Sequence, residues 1–502
     1  MVRQSLKRSG QLAVLMAMVL AASLGCLKQG PLAIPPASTG VPAGEPPAAP
    51  REFRAAWVAT VANIDWPSTR GSSVDAQKTE AREIVAQARS LGLNTLILQV
   101  RTSADALYAS QLEPWSEFLT GEQGKPPDPL YDPLVFWIEE AHRAGIELHA
   151  WFNPYRARHA SAHSPLAANH VGITHPGLVK TYGDQLWLDP GEPGAVEHVL
   201  AVVLDVVRRY DVDGVHIDDY FYPYPIEDGT GQLIDFPDEP SWQAFLARGG
   251  TLSRADWRRR NVDEFVARLY REVHREKPFV RVGVSPFGIG RPDRRPPGIS
   301  GFSQYDEIYA NVELWLEQGW MDYLVPQLYW PRSSSGQPFG TLLDYWHAQN
   351  LKGRHVWPGL FTSRTGMSTP WPAEEITEQI QLTRTCGGSL GHAHFSMAAL
   401  KKDYGGITGS LAAIYGGPAL VPATDWLGGT APQPPSVRLL ESPADASVVR
   451  VELASGEAPW LLAVWGRYGD TWQFFILPGG AGTIPAKSGG IPLGPAVASF
   501  RL

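Results

Sequence analysis

Asp213-Gly214-Val215-His216-Ile217-Asp218-Asp219-Tyr220 is the stretch on which the fold turns. With a period of two, Gly214, His216, Asp218 and Tyr220 share one face of a strand, and Val215 and Ile217 share the other. The branched apolar face suits packing against helices. The polar face needs a local reason, because a barrel interior otherwise takes apolar side chains. A catalytic or substrate-binding cluster at a strand's C-terminal end supplies one. Asp218 is the leading candidate there, and Asp219 joins it if the chain is already turning.

Outward from this strand, similar short runs recur. They are Ala55–Thr60, Thr95–Val100, Glu147–Phe152, Gly214–Asp219, Val280–Ser285, Tyr323–Leu328, His355–Phe361 and Ser389–Phe395. Helical patterns lie between them, among them Ser73–Leu91, Leu134–Ala144, Gly194–Tyr210, Val262–Arg275, Asn311–Gly319 and Pro372–Thr385. Eight alternations predict an α/β fold, a closed (β/α)8 TIM barrel over residues 51–420. Thr60–Pro67, after the first strand, lacks the Gly-rich phosphate turn of a doubly wound sheet. Long connections leave the third and fourth strands, where barrel enzymes build their clefts. A linker over 421–435 leads to short strand-like runs in 436–502, which predict a small β-sandwich.

The first residues read differently. Arg3, Lys7 and Arg8 precede a short apolar run, Leu12–Leu20, so residues 1–25 are expected to be a secretion signal. Ser23-Leu24-Gly25-Cys26 resembles a lipobox, so Cys26 is expected to be lipidated and to anchor the chain to a membrane. Residues 26–50, rich in Pro, Gly and Ala, read as a tether. The chain is thus expected in the cell envelope, lipid-anchored or otherwise secreted. Cys386 is the only other cysteine, so a Cys-based metal site is excluded and no intramolecular disulfide is expected. A net charge of −8 carries no basic stripe for nucleic acid. The 18 Trp residues exceed what a core alone explains, and sugar rings offer flat apolar faces for such platforms.

Glycosidic cleavage needs one carboxylic acid to protonate the leaving oxygen and a second carboxylate to attack or to activate water. Asp218 is the candidate for one of the two carboxylates and Asp306 or Glu307, on the connection after strand five, for the other, with the two roles left open between them. Asp322 stands at the bottom of strand six, where stability is the expected role. Substrate-positioning candidates are Arg101 at the end of strand two, Trp151, Asn153 and Tyr155 after strand three, His216, Asp219 and Tyr220 on strand four, and Gln327, Tyr329 and Trp330 after strand six. His392 and His394 share a strand face at a spacing a metal can use, yet no nearby ligands complete a site. No metal or cofactor is expected. The rival readings are a polysaccharide-binding barrel that does not cut, and a carbohydrate esterase, deacetylase or lyase.

Several motifs in one order are familiar: Arg51–Trp66 (REFRAAWVATVANIDW), Asn94–Arg101 (NTLILQVR), His149–Arg158 (HAWFNPYRAR), Leu186–Pro190 (LWLDP), Asp213–Pro223 (DGVHIDDYFYP), Gly283–Gly288 (GVSPFG) and Gly319–Trp330 (GWMDYLVPQLYW). Together, over about residues 50–400, they resemble the bacterial glycosyl-hydrolase-like-10 family. The resemblance implies a secreted or lipid-anchored TIM-barrel glycoside hydrolase acting on cell-wall glycan, including strands stripped of their stem peptides. It also implies Asp218 as the strand-four aspartate of the catalytic row. Tyr220 stands where chitinase-like barrels place an acid glutamate, so their acetamido-assisted mechanism is not implied. Nor is xylan.

Overall fold

The computed structural model describes residues 46–499, apart from 389, 429–434, 442–447, 455–458, 469 and 486–496. The signal segment, most of the tether and Cys26 lie outside the described residues.

Parallel strands β1 (Phe53–Val58), β2 (Thr95–Arg101), β3 (Glu147–Phe152), β4 (Gly214–Ile217), β5 (Arg281–Val284), β6 (Tyr323–Leu324), β7 (His355–Val356), β8 (Gly359–Leu360) and β9 (Gly391–His394) form one sheet. Its order is β7-β6-β5-β4-β3-β2-β1-β9-β8. β7 and β8 are two pieces of a single stave, interrupted at Trp357-Pro358, because Pro358 has no N–H to give the ladder. Leu328 N donates to Gly359 O at 3.1 Å and Gly359 N donates to Pro326 O at 2.9 Å, which carries pairing across the break. The ring therefore closes as a (β/α)8 barrel.

Helices α1 (Val74–Ser90), α2 (Pro133–Arg143), α3 (Pro193–Arg209), α4 (Arg254–Glu276), α5 (Val312–Gln318), α6 (Phe339–Gln349), α7 (Ala373–Thr385) and α8 (Ile407–Tyr415) follow the staves in turn. The sequence reading begins α4 at Val262, eight residues late, because Arg254–Asn261 lacks an apolar rhythm. A serine N-cap starts it instead: Ser253 Oγ accepts from Asp256 N at 3.1 Å, satisfying a donor that helix geometry leaves orphaned. Cys386 is the C-cap of α7; the expectation of no disulfide turns on Cys26, which lies outside the described residues.

Two apolar layers follow from strand parity. The outward residues, such as Leu96, Leu98, Leu148, Val215 and Ile217, join the helix faces in the larger core. The inward residues Phe53, Trp57, Ile97, Trp151, Tyr323 and Trp357 fill the barrel itself. Such large rings fit only opposite glycines. A Cβ on Gly283 would meet the Tyr323 ring at 2.0 Å, and one on Gly214 would meet His149 at 2.7 Å.

The long connection after β3 folds as a three-stranded antiparallel sheet from Arg156–Arg158, Gln185–Leu188 and Val179–Tyr182. The one after β4 carries the hairpin Ile226–Glu227/Leu233–Ile234 and the helix Glu239–Ala247. Beyond the barrel, β10 (Val437–Glu441), β11 (Val448–Leu453), β12 (Leu461–Tyr468), β13 (Thr471–Pro478), β14 (Ala481–Pro485) and β15 (Val497–Ser499) make two three-stranded antiparallel sheets. Val451, Leu462, Val464, Leu477 and Ile484 lie between them, while Leu461 and Ala463 pack with Leu420 at the edge of the barrel domain.

Candidate active site

β4 ends at Ile217, so Asp218 and Asp219 stand on the first turn beyond the strand. Extended alternation no longer separates them, and both line one cavity of about 290 Å³. Around them stand Trp57, Trp151, Tyr220, Tyr224, Tyr329 and Phe395, with Gln99, Arg156, His159, Ser285 and Gln327 as the polar lining.

Asp218 Oδ2 accepts Nε1 of Trp151 at 2.9 Å and Nδ2 of Asn153 at 3.3 Å. Oδ1 has no hydrogen-bond partner. Burial and the neighbouring Asp219 charge push the Asp218 carboxyl up to about 7, against the opposing pull of Arg156 and the Trp151 hydrogen bond. Asp219 accepts the Tyr224 hydroxyl and is also reached by the Gln327 side chain. Burial raises its pKa too, while those donors favour its anion. The two carboxyls are thus differently served: one keeps its proton near neutrality, and the other is surrounded by donors.

Asn153 does two things. Its amide reaches Asp218, and its Oδ1 accepts the backbone N of Arg156 at 3.0 Å, fixing the turn after β3. Arg101 supports that turn from below. It forks onto Glu113 at 2.8 and 2.6 Å and donates to Asn153 O at 2.5 Å and Pro154 O at 3.0 Å. Arg101 is therefore buried away from the cavity, a correction to its expected contact with substrate. The cause is Glu113, whose buried carboxylate is held at about 2 and claims the guanidinium.

His216 is a second correction. It lies beneath the cavity, where Trp57 Nε1 donates to its Nε2 at 3.2 Å. Burial keeps the imidazole neutral, so the remaining proton sits on Nδ1 and points at the Tyr323 hydroxyl, 3.1 Å away. Tyr323 in turn donates to His149 Nδ1 at 2.7 Å, and His149 Nε2 faces Glu147 at 3.2 Å. This chain of donors orients Trp57 from within the barrel. Tyr155 and Trp330 are also displaced from their expected roles. Tyr155 is fully buried against Phe265, and Trp330 packs edge-on against Phe287 behind the cavity wall.

Asp306 and Glu307 do not line the cavity with Asp218. They lie on the short helix Gln304–Glu307, where Asp306 accepts Ser303 Oγ at 2.7 Å and Glu307 accepts Ser303 N at 2.9 Å. Both border a separate cleft with Tyr182, Tyr222, Arg258 and Tyr309. The helix cap turns them away. Asp322 accepts Val282 N at 2.8 Å and Trp426 Nε1 at 2.7 Å, a fully buried structural anchor.

His392 and His394 both meet the Tyr415 hydroxyl, at 2.6 and 2.9 Å, and burial lowers both pKa values. Their two-residue spacing thus serves a packed contact between β9 and α8. Seven tryptophans, including Trp66, Trp137 and Trp187, are fully buried core, while Trp57 and Trp151 are the ones that reach the cavity. Trp57, Arg156, His159, Tyr224 and Phe395 escape the sequence reading as site residues. Trp57 was available from parity, since Phe53, Ala55, Trp57 and Ala59 share the inward face of β1.

The motifs find their counterparts in known proteins. Residues 52–373 match the family described as Glycosyl hydrolase-like 10. The chain is 39% identical over 414 residues to the glycosyl hydrolase YngK of Bacillus subtilis (strain 168), covering 80% of this chain and 79% of that protein. It is 36% identical over 331 residues to the glycosyl hydrolase DigH of Escherichia coli (strain K12), covering 61% of this chain and 73% of that protein. Among solved structures, the PgaB (BpsB) glycoside hydrolase domain from Bordetella bronchiseptica overlays with a TM-score of 0.49 at 12% identity, across 72% of this chain and 98% of that one. With a barrel whose strand-four aspartates meet in an aromatic cavity, and with a family match across most of that barrel, the chain belongs to the glycosyl hydrolase-like 10 family, a glycoside hydrolase type.

Proposed function

We propose that this protein hydrolyses O-glycosidic bonds in a cell-envelope glycan, the strands of peptidoglycan, with Asp218 as general acid and Asp219 as its partner carboxylate. One observation carries the reading. Asp218 is a buried carboxyl at the floor of an aromatic cavity, fixed through one oxygen by Trp151 and Asn153 and unpartnered at the other. A carboxyl raised to about 7 retains its proton at neutral pH and can deliver it to a leaving glycosidic oxygen. Asp219, supported by Tyr224 and Gln327, then faces the sugar carbon that gains positive charge, or orients the attacking water. Trp57, Trp151 and Tyr329 offer flat apolar faces for the pyranose rings.

The envelope assignment is also part of the proposal. It rests on the leader, on Ser23-Leu24-Gly25-Cys26 as an attachment site for a lipid anchor, and on the tether that follows. Among the described residues no helix is long and apolar enough to cross a membrane.

The test is a substrate panel. Purified protein is incubated with peptide-free glycan strands, intact peptidoglycan, chitin oligosaccharides and xylan, and the products are read by mass spectrometry. Shortened muramic-acid-containing oligosaccharides are the expected result. Cleavage of xylan or chitin alone would replace the substrate; retention of strands without cleavage would make the barrel a binding protein.

A further inference from the structure

A second cleft, of about 770 Å³, lies at the opposite mouth of the barrel, where the hairpin of β12 and β13 meets the residues just before β1 and β9. Trp465 pairs with Phe474 and Arg467 with Trp472, so these four share one face of the hairpin. Further along that face, Leu461, Ala463 and Ile476 pack with Leu420 at the edge of the barrel domain. Trp465 and Trp472 do not join them. Both are half-buried, and neither belongs to an apolar cluster of this small domain. Docking of the hairpin therefore uses half of its outer face and leaves two indoles lining the space beyond.

The facing wall carries charge. Arg51, Arg54 and Arg384 line it with Glu52, the one carboxylate among the described lining residues. Arg54 and Arg384 share that carboxylate, each at 2.7 Å. Three cations thus meet one anion, in a protein whose net charge is −8. Arg51 is exposed, donates Nη1 to Val421 O at 2.8 Å, and feels Asp425 only from beyond ion-pair distance. Between the walls the chain leaves room: a Cβ on Gly416 or Gly417 would meet nothing within 4 Å.

We propose that this cleft is a second, non-catalytic glycan site, which holds a carboxylate-bearing polysaccharide strand at the end of the barrel remote from Asp218. Indole rings offer flat apolar faces to sugar rings, and a guanidinium matches the geometry of a carboxylate. An apolar peptide suits the cleft poorly, because it would strip water from the cationic wall and return no anion. A strand long enough to occupy cavity and cleft together gains the second contact at the effective concentration set by the first. The choice of a cell-envelope glycan as the polymer rests on the reading of the barrel as a hydrolase of such strands.

Affinity electrophoresis of the full chain tests it, in gels containing peptide-free glycan strands or the same strands with their carboxyls converted to methylamides. Every protein carries Asp218→Asn, so that the strands stay intact. The double variant Trp465→Ala, Trp472→Ala should weaken binding of both strands at least fivefold. Arg51→Glu should weaken binding of the acidic strands by a similar factor and spare the amidated ones. Unaltered binding by either variant would overturn the proposal. So would an Arg51→Glu protein that loses both strands by one factor, because charge would then not be what is read. Capture of phosphatidylglycerol vesicles that both variants abolish, with strand binding intact, would assign the cleft to a lipid surface and overturn it too. If the double variant fails to fold, Arg51→Glu at the exposed rim still decides. With Asp218 restored, the variants should raise KM for long strands and leave kcat, and the cleavage of short oligosaccharides, unchanged. Strands held through the cleft but never cut would remove the hydrolase reading alone, and strands cut with binding and KM unaltered would remove this inference alone.

Discussion

Trp151 Nε1 donates to Asp218 Oδ2 at 2.9 Å, so an aromatic platform of the cavity also holds the carboxyl beneath it. Replacing Trp151 with Phe keeps a ring and removes the donor. Because the bond favours the anion, its loss should raise the Asp218 pKa further and move the alkaline limb of the pH–rate profile upward. An unmoved limb, measured on the same substrate, would detach Asp218 from that limb.

The acid role fixes the sign of the pH dependence. Asp218 is protonated below about 7, so kcat should fall above that pH as the proton is lost. Asp219→Asn removes the charge that raises Asp218, and the Asp218 carboxyl band in infrared titration should move to lower pH. A rate that instead rises through pH 7 would make Asp218 a base.

The same shift affects stability. A carboxyl whose folded pKa exceeds its unfolded value contributes stability that is complete below about 4 and lost as pH rises through about 7. Above that, ionised Asp218 is a cost to the fold. Asp218→Asn should therefore be more stable than wild type at pH 8, by on the order of 2 kcal/mol, with the gap narrowing toward pH 5. Calorimetric melting at the two pH values measures this.

Arg101 supports the site through its ion pair. Arg101→Met leaves Glu113 buried with only His198 beside it, at 2.8 Å, and should cost about 3–5 kcal/mol. Adding Glu113→Leu should recover much of the loss. A denaturant titration that finds the double variant no better than the single one would contradict the pairing.

Much of this architecture was legible in the sequence. The eight apolar runs mark the eight staves, and the parity of Gly214, His216 and Asp218 reports the inward face because a strand can alternate in only one way. What parity cannot give is depth along the barrel. His216 and Asp218 share a face, yet a two-residue rise takes one from beneath Trp57 to the cavity floor. Arg101 and Asp306 were misplaced for a different reason: their positions depend on Glu113 and on the Ser303 cap, partners that no strand pattern reveals. Arg156 is legible only as an exception, a buried cation, and burial is a tertiary property.

Lipidation at Cys26 has its own test. A thioether consumes the sulfur, so a lipidated chain has no Cys26 thiol for a disulfide. Cells fed radiolabelled palmitate should label the wild type, and Cys26→Ser should lose both the label and membrane fractionation. Wild-type protein without label would make the chain a secreted one.

The most direct measurement is strand cleavage by Asp218→Asn beside the wild type at pH 6.5, with melting temperatures recorded for both. The account predicts a variant at least as stable as the wild type whose rate falls by about 10²–10⁴, the usual contribution of a positioned acid. A folded Asp218→Asn protein that cuts strands at the wild-type rate would contradict it.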